Sequence, residues 1–285
     1  MNNILIPNKK YLERLKQKIS RGGASKLHVL TDFDRTLTKL FVDGKEVPSL
    51  ISVLRDEHYL TPDYPAKAHA LFDKYHPIEI DPKISLKRKK EAMQEWWTLH
   101  FKQLIESKLH KKDIEKAVGS SRIRLRDGVL EFIDMLHEHD IPLIIMSSSG
   151  LGYEAIETLL ENQGRMYKNV YIISNAFIWD KNGNAIGIKK PVITSMSKDE
   201  TMVKDYPQVF KVVKNRRNVL LLGDTAEDID MITGFDYDNI IKVGFLNKNI
   251  QENLARYKKA YDLIILNDSD KFYVDRLLKE LIKKG

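Results

Sequence analysis

Short runs of β-branched and apolar residues recur along this chain at 27–31, 141–147, 169–174, 218–223, 239–243 and 262–266, most of them separated by helical stretches. Apolar runs of this length without polar alternation are what strands covered on both faces look like. Parallel neighbours must be joined by crossovers long enough to hold a helix, so the alternation requires a parallel sheet. The fold class is therefore α/β, a Rossmann-like parallel sheet core with helices on both faces. Ligands of such sheets bind beyond the carboxyl ends of the strands, which directs attention to the residues that follow each run.

One interval breaks the pattern. Residues 49–126 are mostly helical, strongly basic and without a convincing β run, and they read as an inserted, mostly helical domain. The core is then 1–48 and 127–285. Within the insert, 85–107 is long enough for a six-turn helix with Met93, Trp96, Trp97, His100 and Leu104 along one side. One of the two Trp is expected in the core and the other facing a pocket. Residues 175–190 contain Asn182 and Gly183 between apolar runs, a hairpin signal. Residues 7–20 read as an amphipathic helix opening at Pro7, with Tyr11, Leu12 and Leu15 at helical spacing.

Composition narrows the chemistry. The 285 residues include no Cys, which excludes disulfides, thiolate metal sites and cysteine nucleophiles. Any metal must bind oxygen or imidazole. No apolar stretch approaches the length of a membrane span, and the first residues lack the pattern of a signal peptide, so no membrane and a cytoplasmic location are expected. The net charge of +7 is uneven: 1–26 carry +6 and 83–126 carry +8, which leaves −7 elsewhere. A basic block of this kind reads first as a solvated helix face, with no nucleic acid partner. A positive lobe over an acidic site would instead draw in a small polyanion. A monomer is the expected state.

The strongest chemical signal is the pair Asp32 and Asp34, followed by Thr36, directly after the first strand run. Loop acids also serve as turn and helix caps. A second pair, Asp224 and Asp228, follows another buried run, and two strand-end acid clusters in one sheet can converge on one cation. Oxygen-only coordination suits Mg²⁺, which keeps several waters and shares itself with substrate phosphate. Several carboxylates near a phosphate need a positive counter-charge. Lys198 is the candidate, against the alternative of a surface lysine. Between the acid pairs, the run at 141–147 ends in Ser147, Ser148, Ser149 and Gly150, either a phosphate cradle or a plain helix cap.

This ordered set resembles the haloacid-dehalogenase superfamily of phosphohydrolases from Lys26 onward. The stretches Tyr75-His-Pro-Ile-Glu-Ile-Asp-Pro82, Glu95-Trp-Trp-Thr98, Ser149-Gly-Leu-Gly152 and Leu221-Leu-Gly-Asp224 resemble its cytosolic pyrimidine 5′-nucleotidase (5′-nucleotidase III) branch. The resemblance implies Asp32 as nucleophile and Asp34 as general acid and base. It also implies Mg²⁺ held by Asp32, the Asp34 carbonyl and Asp224 with Asp228 in support. Lys198 would balance charge, and Ser148 or Ser147 would hold the phosphate with the Ser149 and Gly150 amides. The insert becomes a cap that closes over the nucleophile. Glu79, read as part of a turn, would hydrogen-bond the base. Trp97 stands where the family has a Tyr beside the base, and His100 where it has a Ser that touches the nucleotide. The implied activity is Mg²⁺-dependent hydrolysis of nucleoside 5′-monophosphates, CMP and UMP foremost, through an aspartyl-phosphate. The alternatives are a phosphatase for another small phosphomonoester such as phosphoserine, or a non-catalytic nucleotide- or RNA-binding protein.

Overall fold

The computed structural model describes residues 3–47, 49–81, 83–198, 206–233 and 236–283. Of the motifs above, Pro82 lies outside the described residues. In chain order its elements are β1 (Ile4–Leu5), α1 (Lys9–Gly22), β2 (Leu27–Thr31), β3 (Phe41–Val42), β4 (Lys45–Glu46), α2 (Leu50–Asp56), α3 (Tyr64–Ile80), α4 (Leu86–Glu106), α5 (Lys111–Gly119) and α6 (Val129–Glu138). There follow β5 (Leu143–Ser147), α7 (Gly152–Asn162), β6 (Val170–Ser174), β7 (Phe177–Trp179), β8 (Ala185–Ile188), α8 (Pro207–Val213), β9 (Asn218–Gly223), β10 (Asn239–Leu246), α9 (Ile250–Ala260), β11 (Leu263–Leu266) and α10 (Phe272–Ile282).

Seven strands form one sheet in the order β1-β11-β10-β9-β2-β5-β6. Every pairing is parallel except that of β1 with β11. Side chains alternate between the two faces of a strand, and here both faces are buried. Leu27, Val29, Leu143, Ile145, Leu220 and Leu222 enter one apolar cluster, while Leu30, Ile144, Met146, Val219 and Leu221 enter another on the opposite side. Burial on both faces is why these segments read as unbroken apolar runs.

All seven strands of that sheet lie outside 49–126, and the described residues of that interval supply α2 to α5. These helices do not stand apart from the sheet. Leu50, Val53, Tyr64, Phe101, Leu104 and Ile114 share a cluster with Leu151, Ala155 and Phe177. The helix expected at 85–107 runs Leu86–Glu106, with the Ser85 hydroxyl accepting from the Arg88 N–H as its cap. The hairpin forms as β7 and β8, with Gly183 in its turn at φ 88, a conformation that favours glycine.

Three details differ from expectation. Helix α1 opens at Lys9 and not at Pro7, because Asn8 supplies a side-chain acceptor for the Tyr11 N–H. Its buried face is Leu12, Leu15 and Ile19, so Tyr11 points outward. Glu79 lies not in a turn but in the last turn of α3, which continues through Pro77 to Ile80. Neither Trp96 nor Trp97 belongs to the core: both are half-buried.

Candidate active site

β9, β2 and β5 are neighbours in the sheet, so the turns that follow them stand side by side at one edge. They carry Asp224, Asp32 and Ser148 respectively. The order places β2 between β9 and β5, with β5 and β6 on one side of it and β9, β10 and β11 on the other, and such a switch of direction opens a crevice at the strand ends. The Asp32 N–H still donates to the Leu222 carbonyl at 3.0 Å, which ties the first acid turn to the strand carrying the second.

Asp32, Asp224 and Asp228 are all buried, and one carboxylate oxygen from each lies within 4.8 Å of the others. Lys198, 7% exposed, enters between them, donating to Asp32 and to Asp228 Oδ1, the latter at 2.9 Å. Against its own burial, Asp228 and Asp32 hold the lysine above its ordinary pKa. Thr36 Oγ1 donates to Asp32 Oδ2 at 3.2 Å. The other oxygen of Asp228 accepts from the N–H groups of Asp224 and Thr225 and from the Thr225 hydroxyl, at 3.0, 2.9 and 3.0 Å. Burial works against this carboxylate, but Lys198 and the Thr225 donors keep it below its usual pKa. Asp228 is thus the brace of its turn. Gly223 is required beside it, since a Cβ there would sit 2.5 Å from Asp228 Cβ.

Asp34 and Asp224 are under different pressure. Burial, then the charge of Asp32, pushes Asp34 up to about 7. Burial pushes Asp224 up to about 8 although Arg35 pulls it back, with Nε 2.9 Å from Oδ2. Four carboxylates face two cations, Arg35 and Lys198, which leaves the cluster two positive charges short. Hard oxygen donors with that deficit fit a divalent cation. Asp34 Oδ1 accepts from the Leu50 N–H at 3.4 Å, so its carboxyl meets the start of α2.

In the hydroxyl turn, Ser147 Oγ accepts from the Ser149 N–H at 3.1 Å and Ser149 Oγ from the Leu151 N–H at 3.3 Å. Both side chains are buried, whereas Ser148 is half-buried and its hydroxyl is not spent on the turn. The sequence-derived ligands Trp97 and His100 meet this turn through its backbone: Trp97 Nε1 donates to the Ser148 carbonyl and His100 Nε2 to the Gly150 carbonyl, each at 3.0 Å. Burial lowers the His100 pKa to about 4, so it donates as a neutral ring. Gly150 has no room for a side chain, because a Cβ would lie 2.9 Å from His100 Nε2.

Glu79 sits beyond the lysine. Its Oε1 accepts from the Ser195 hydroxyl at 2.6 Å and its Oε2 lies 3.3 Å from His76 Nδ1. Burial opposes its ionisation, but His76 and Ser195 hold it below the usual glutamate range. Aromatic rings extend from this point. Phe72 stacks on His76 with centroids 4.6 Å apart, and Trp96 stacks on Tyr75 at 5.9 Å and meets Trp97 edge-on at 5.1 Å. Phe72 is 41% exposed, so the row opens to solvent.

Sequence reasoning missed three contributors. Arg35 was hidden inside the acid motif as an unassigned position. Tyr257 of α9 and Tyr261, the residue that ends it, donate to the carbonyls of Asp224 and Thr225, fixing the second acid turn from behind. Two tyrosines four residues apart at the end of a helix carry no signal beyond that of ordinary packing.

Substrate-bound phosphoserine phosphatase superposes on this chain with a TM-score of 0.50 at 18% identity, over 88% of this chain and 97% of that one, a likeness of fold alone. The fold class is thus the α/β one, with a mostly parallel sheet, that such a phosphatase shares. A much nearer match is the crystal structure of cytosolic 5′-nucleotidase IIIB bound to cytidine, with a TM-score of 0.87 and 26% identity over 100% of this chain and 95% of that one. The 7-methylguanosine phosphate-specific 5′-nucleotidase A of Xenopus laevis is 34% identical over 269 residues, 94% of this chain and 92% of that protein. The family described as pyrimidine 5′-nucleotidase (UMPH-1) matches residues 35–282. The chain belongs to that family and is a 5′-nucleotidase.

Proposed function

We propose that this enzyme hydrolyses nucleoside 5′-monophosphates with Mg²⁺ through a phosphoryl group carried on Asp32. The observation that carries this reading is the buried meeting of Asp32, Asp224, Asp228 and Lys198 at adjoining strand ends, with Asp34 two residues from the nucleophile. An Asp32 oxygen attacks phosphorus and the bond from phosphorus to the 5′-oxygen breaks. Asp34, held near neutrality by its burial, gives its proton to that departing oxygen. It then takes a proton from the water that displaces phosphate from Asp32, which restores both carboxyl groups. Asp32, the Asp34 carbonyl and Asp224 would hold Mg²⁺, which when bound neutralises phosphoryl oxygens. Lys198 orients Asp32, opposing the burial that raises it, and keeps Asp228 ionised, and Ser148, with the Gly150 amide, holds the phosphate in preference to Ser147, whose Oγ already takes the Ser149 N–H.

The insert at 49–126 serves as the cap in this reading. Its α2 meets Asp34 and its α4 meets the hydroxyl turn, so closing it excludes water from the acid cluster. Glu79 and the aromatic row bound the space left for a base, with Trp97 and His100 shaping its floor through the backbone of the turn. The pyrimidine nucleotides CMP and UMP are the first substrates proposed. A second reading, 7-methylguanosine 5′-monophosphate, is favoured by Phe72, stacked on His76 and edge-on to Trp96, beside the Glu79 carboxylate, since a cationic base gains from aromatic faces and a nearby negative charge.

Among the described residues no helix is long and apolar enough to cross a membrane; a cytoplasmic monomer without nucleic acid partners completes the proposal. A phosphate-release screen over CMP, UMP, 7-methylguanosine 5′-monophosphate, GMP, phosphoserine and p-nitrophenyl phosphate, with and without Mg²⁺, tests it. Turnover confined to nucleotides and dependent on Mg²⁺ supports the reading; preference for phosphoserine, or no turnover, refutes it.

A further inference from the structure

Among the described residues the largest fully buried side chain belongs to Arg126, which stands outside the acid cluster. Its guanidinium donates to the carbonyls of Arg35 at 2.7 Å, Thr36 at 3.1 Å, Thr38 at 3.3 Å and Ser269 at 2.6 Å, and to Asn247 Oδ1 at 3.2 Å. It also pairs with Asp268 at 3.1 Å. A buried guanidinium must find acceptors for five N–H groups, and Asp268 with any nearby carbonyls would serve that need. What is informative is where the bonds go: three of the four carbonyls belong to the turn that leaves Asp32.

Arg35 explains the consequence. Its backbone is left-handed, at φ 61, which a side chain with a Cβ seldom holds unless its surroundings enforce it. Two donors converge on its carbonyl, Arg126 Nη2 and Asn247 Nδ2, the second at 2.9 Å. In that conformation the Arg35 side chain lies against Asp224, while Asp34 faces the start of α2. Arg126 also stands where the chain returns from the helical insert. Its own N–H donates to the Leu37 carbonyl at 2.8 Å, Thr38 bridges Leu125, and the Lys39 N–H donates to the Arg124 carbonyl at 3.0 Å.

We propose that Arg126 is a positioning residue for phosphoryl transfer: through the Arg35 carbonyl it holds the 32–38 turn in the shape that aims Asp34 and Arg35. The proposal rests on the reading of that turn as the reactive one. It predicts a loss in kcat with little change in KM, because the substrate's contacts are left in place while the reacting groups are misaligned.

Arg126→Lys keeps the charge and removes the fork. Arg216→Lys is the control, since Arg216 donates in the same way to the carbonyls of Ala24, Leu27 and Asp140 at the opposite edge of the sheet. With CMP, Arg126→Lys is expected to lower kcat by about 30-fold, with KM within about threefold and a cooperative melt retained. Arg216→Lys should leave kcat within about twofold of wild type even where its melting temperature falls as far. Equal kcat losses in the two variants, or wild-type kcat in Arg126→Lys, overturn the proposal. Should Arg126→Lys not fold, Asn247→Ala removes one of the two donors to the Arg35 carbonyl and must show the same split in weaker form; unchanged kcat there overturns the proposal equally. Asp32→Asn run in parallel separates the two readings. Turnover in that variant refutes the nucleophile, whereas its inactivity beside a fully active Arg126→Lys refutes only the role of Arg126.

Discussion

The hydroxyl of Ser195 donates to Glu79 across 2.6 Å, joining the last turn of α3 to the loop that carries Lys198 three residues later. The group proposed to read the base and the group proposed to steady the nucleophile are thus neighbours on one short path. Glu79→Gln keeps the shape but exchanges an acceptor-only group for one with two donors. We expect kcat/KM for CMP to fall by about tenfold or more, with hydrolysis of p-nitrophenyl phosphate within about threefold of wild type. Equal losses on both substrates would count against a base-reading role.

Asp32→Asn removes the attacking charge at nearly constant volume. Phosphate release should drop by at least about 10³-fold, while circular dichroism and the melting profile stay close to those of wild type. Substantial turnover in this variant would end the covalent mechanism.

Lys198→Ala leaves two buried carboxylates, Asp32 and Asp228, without their shared partner. A loss on the order of 10²–10³ in kcat is expected from removing one preorganised charge. Kinetics like those of wild type would assign the counter-charge to another residue.

The strand-end chemistry was legible because the sheet makes it so. Runs covered on both faces announce themselves, and whatever follows them stands at the ligand-binding edge, so Asp32, Asp34 and Asp224 were visible without coordinates. Asp228 was read with Asp224 as the acid pair after one such run, and Lys198 followed from charge balance. Arg126 was invisible: four of its partners are backbone carbonyls, which every residue has, and Asn247 and Asp268 lie far along the chain, so no sequence pattern marks them. Glu79 was misplaced because Pro77 lacks an N–H and normally ends a helix, whereas here α3 carries on to Ile80. The contacts of Trp97 and His100 with the backbone of the hydroxyl turn could not be read in advance, because an indole N–H that reaches a carbonyl across 51 residues leaves no local trace.

Removal of divalent cations should abolish phosphate release, and Mg²⁺ should restore it. The same titration should raise the melting temperature, because a bound cation relieves the repulsion among Asp32, Asp34 and Asp224. Full activity after exhaustive chelation would remove the metal from the mechanism.

His28 is fully buried, with Nδ1 2.8 Å from the Arg216 carbonyl, and burial lowers its pKa from 6.5 to about 4. The unfolded chain therefore binds this proton below pH 6.5, and the folded chain only near pH 4. Stability is fully present above pH 6.5 and is lost as pH falls toward 4, by on the order of 2–4 kcal/mol for this group. His100 adds in the same direction. Melting temperatures between pH 7 and 4.5 should decline less steeply in His28→Gln than in wild type; parallel curves would show that His28 does not titrate across folding.

The two residues of β1 have an effect larger than their number. By pairing with Ile264 and Ile265 they occupy the outer row of peptide groups on a strand that is apolar on both sides. A version trimmed past Pro7 would present a bare adhesive rim, and molecules would zip together along it. That rim is thus covered at the far side of the sheet from the acid cluster, by the two residues of β1.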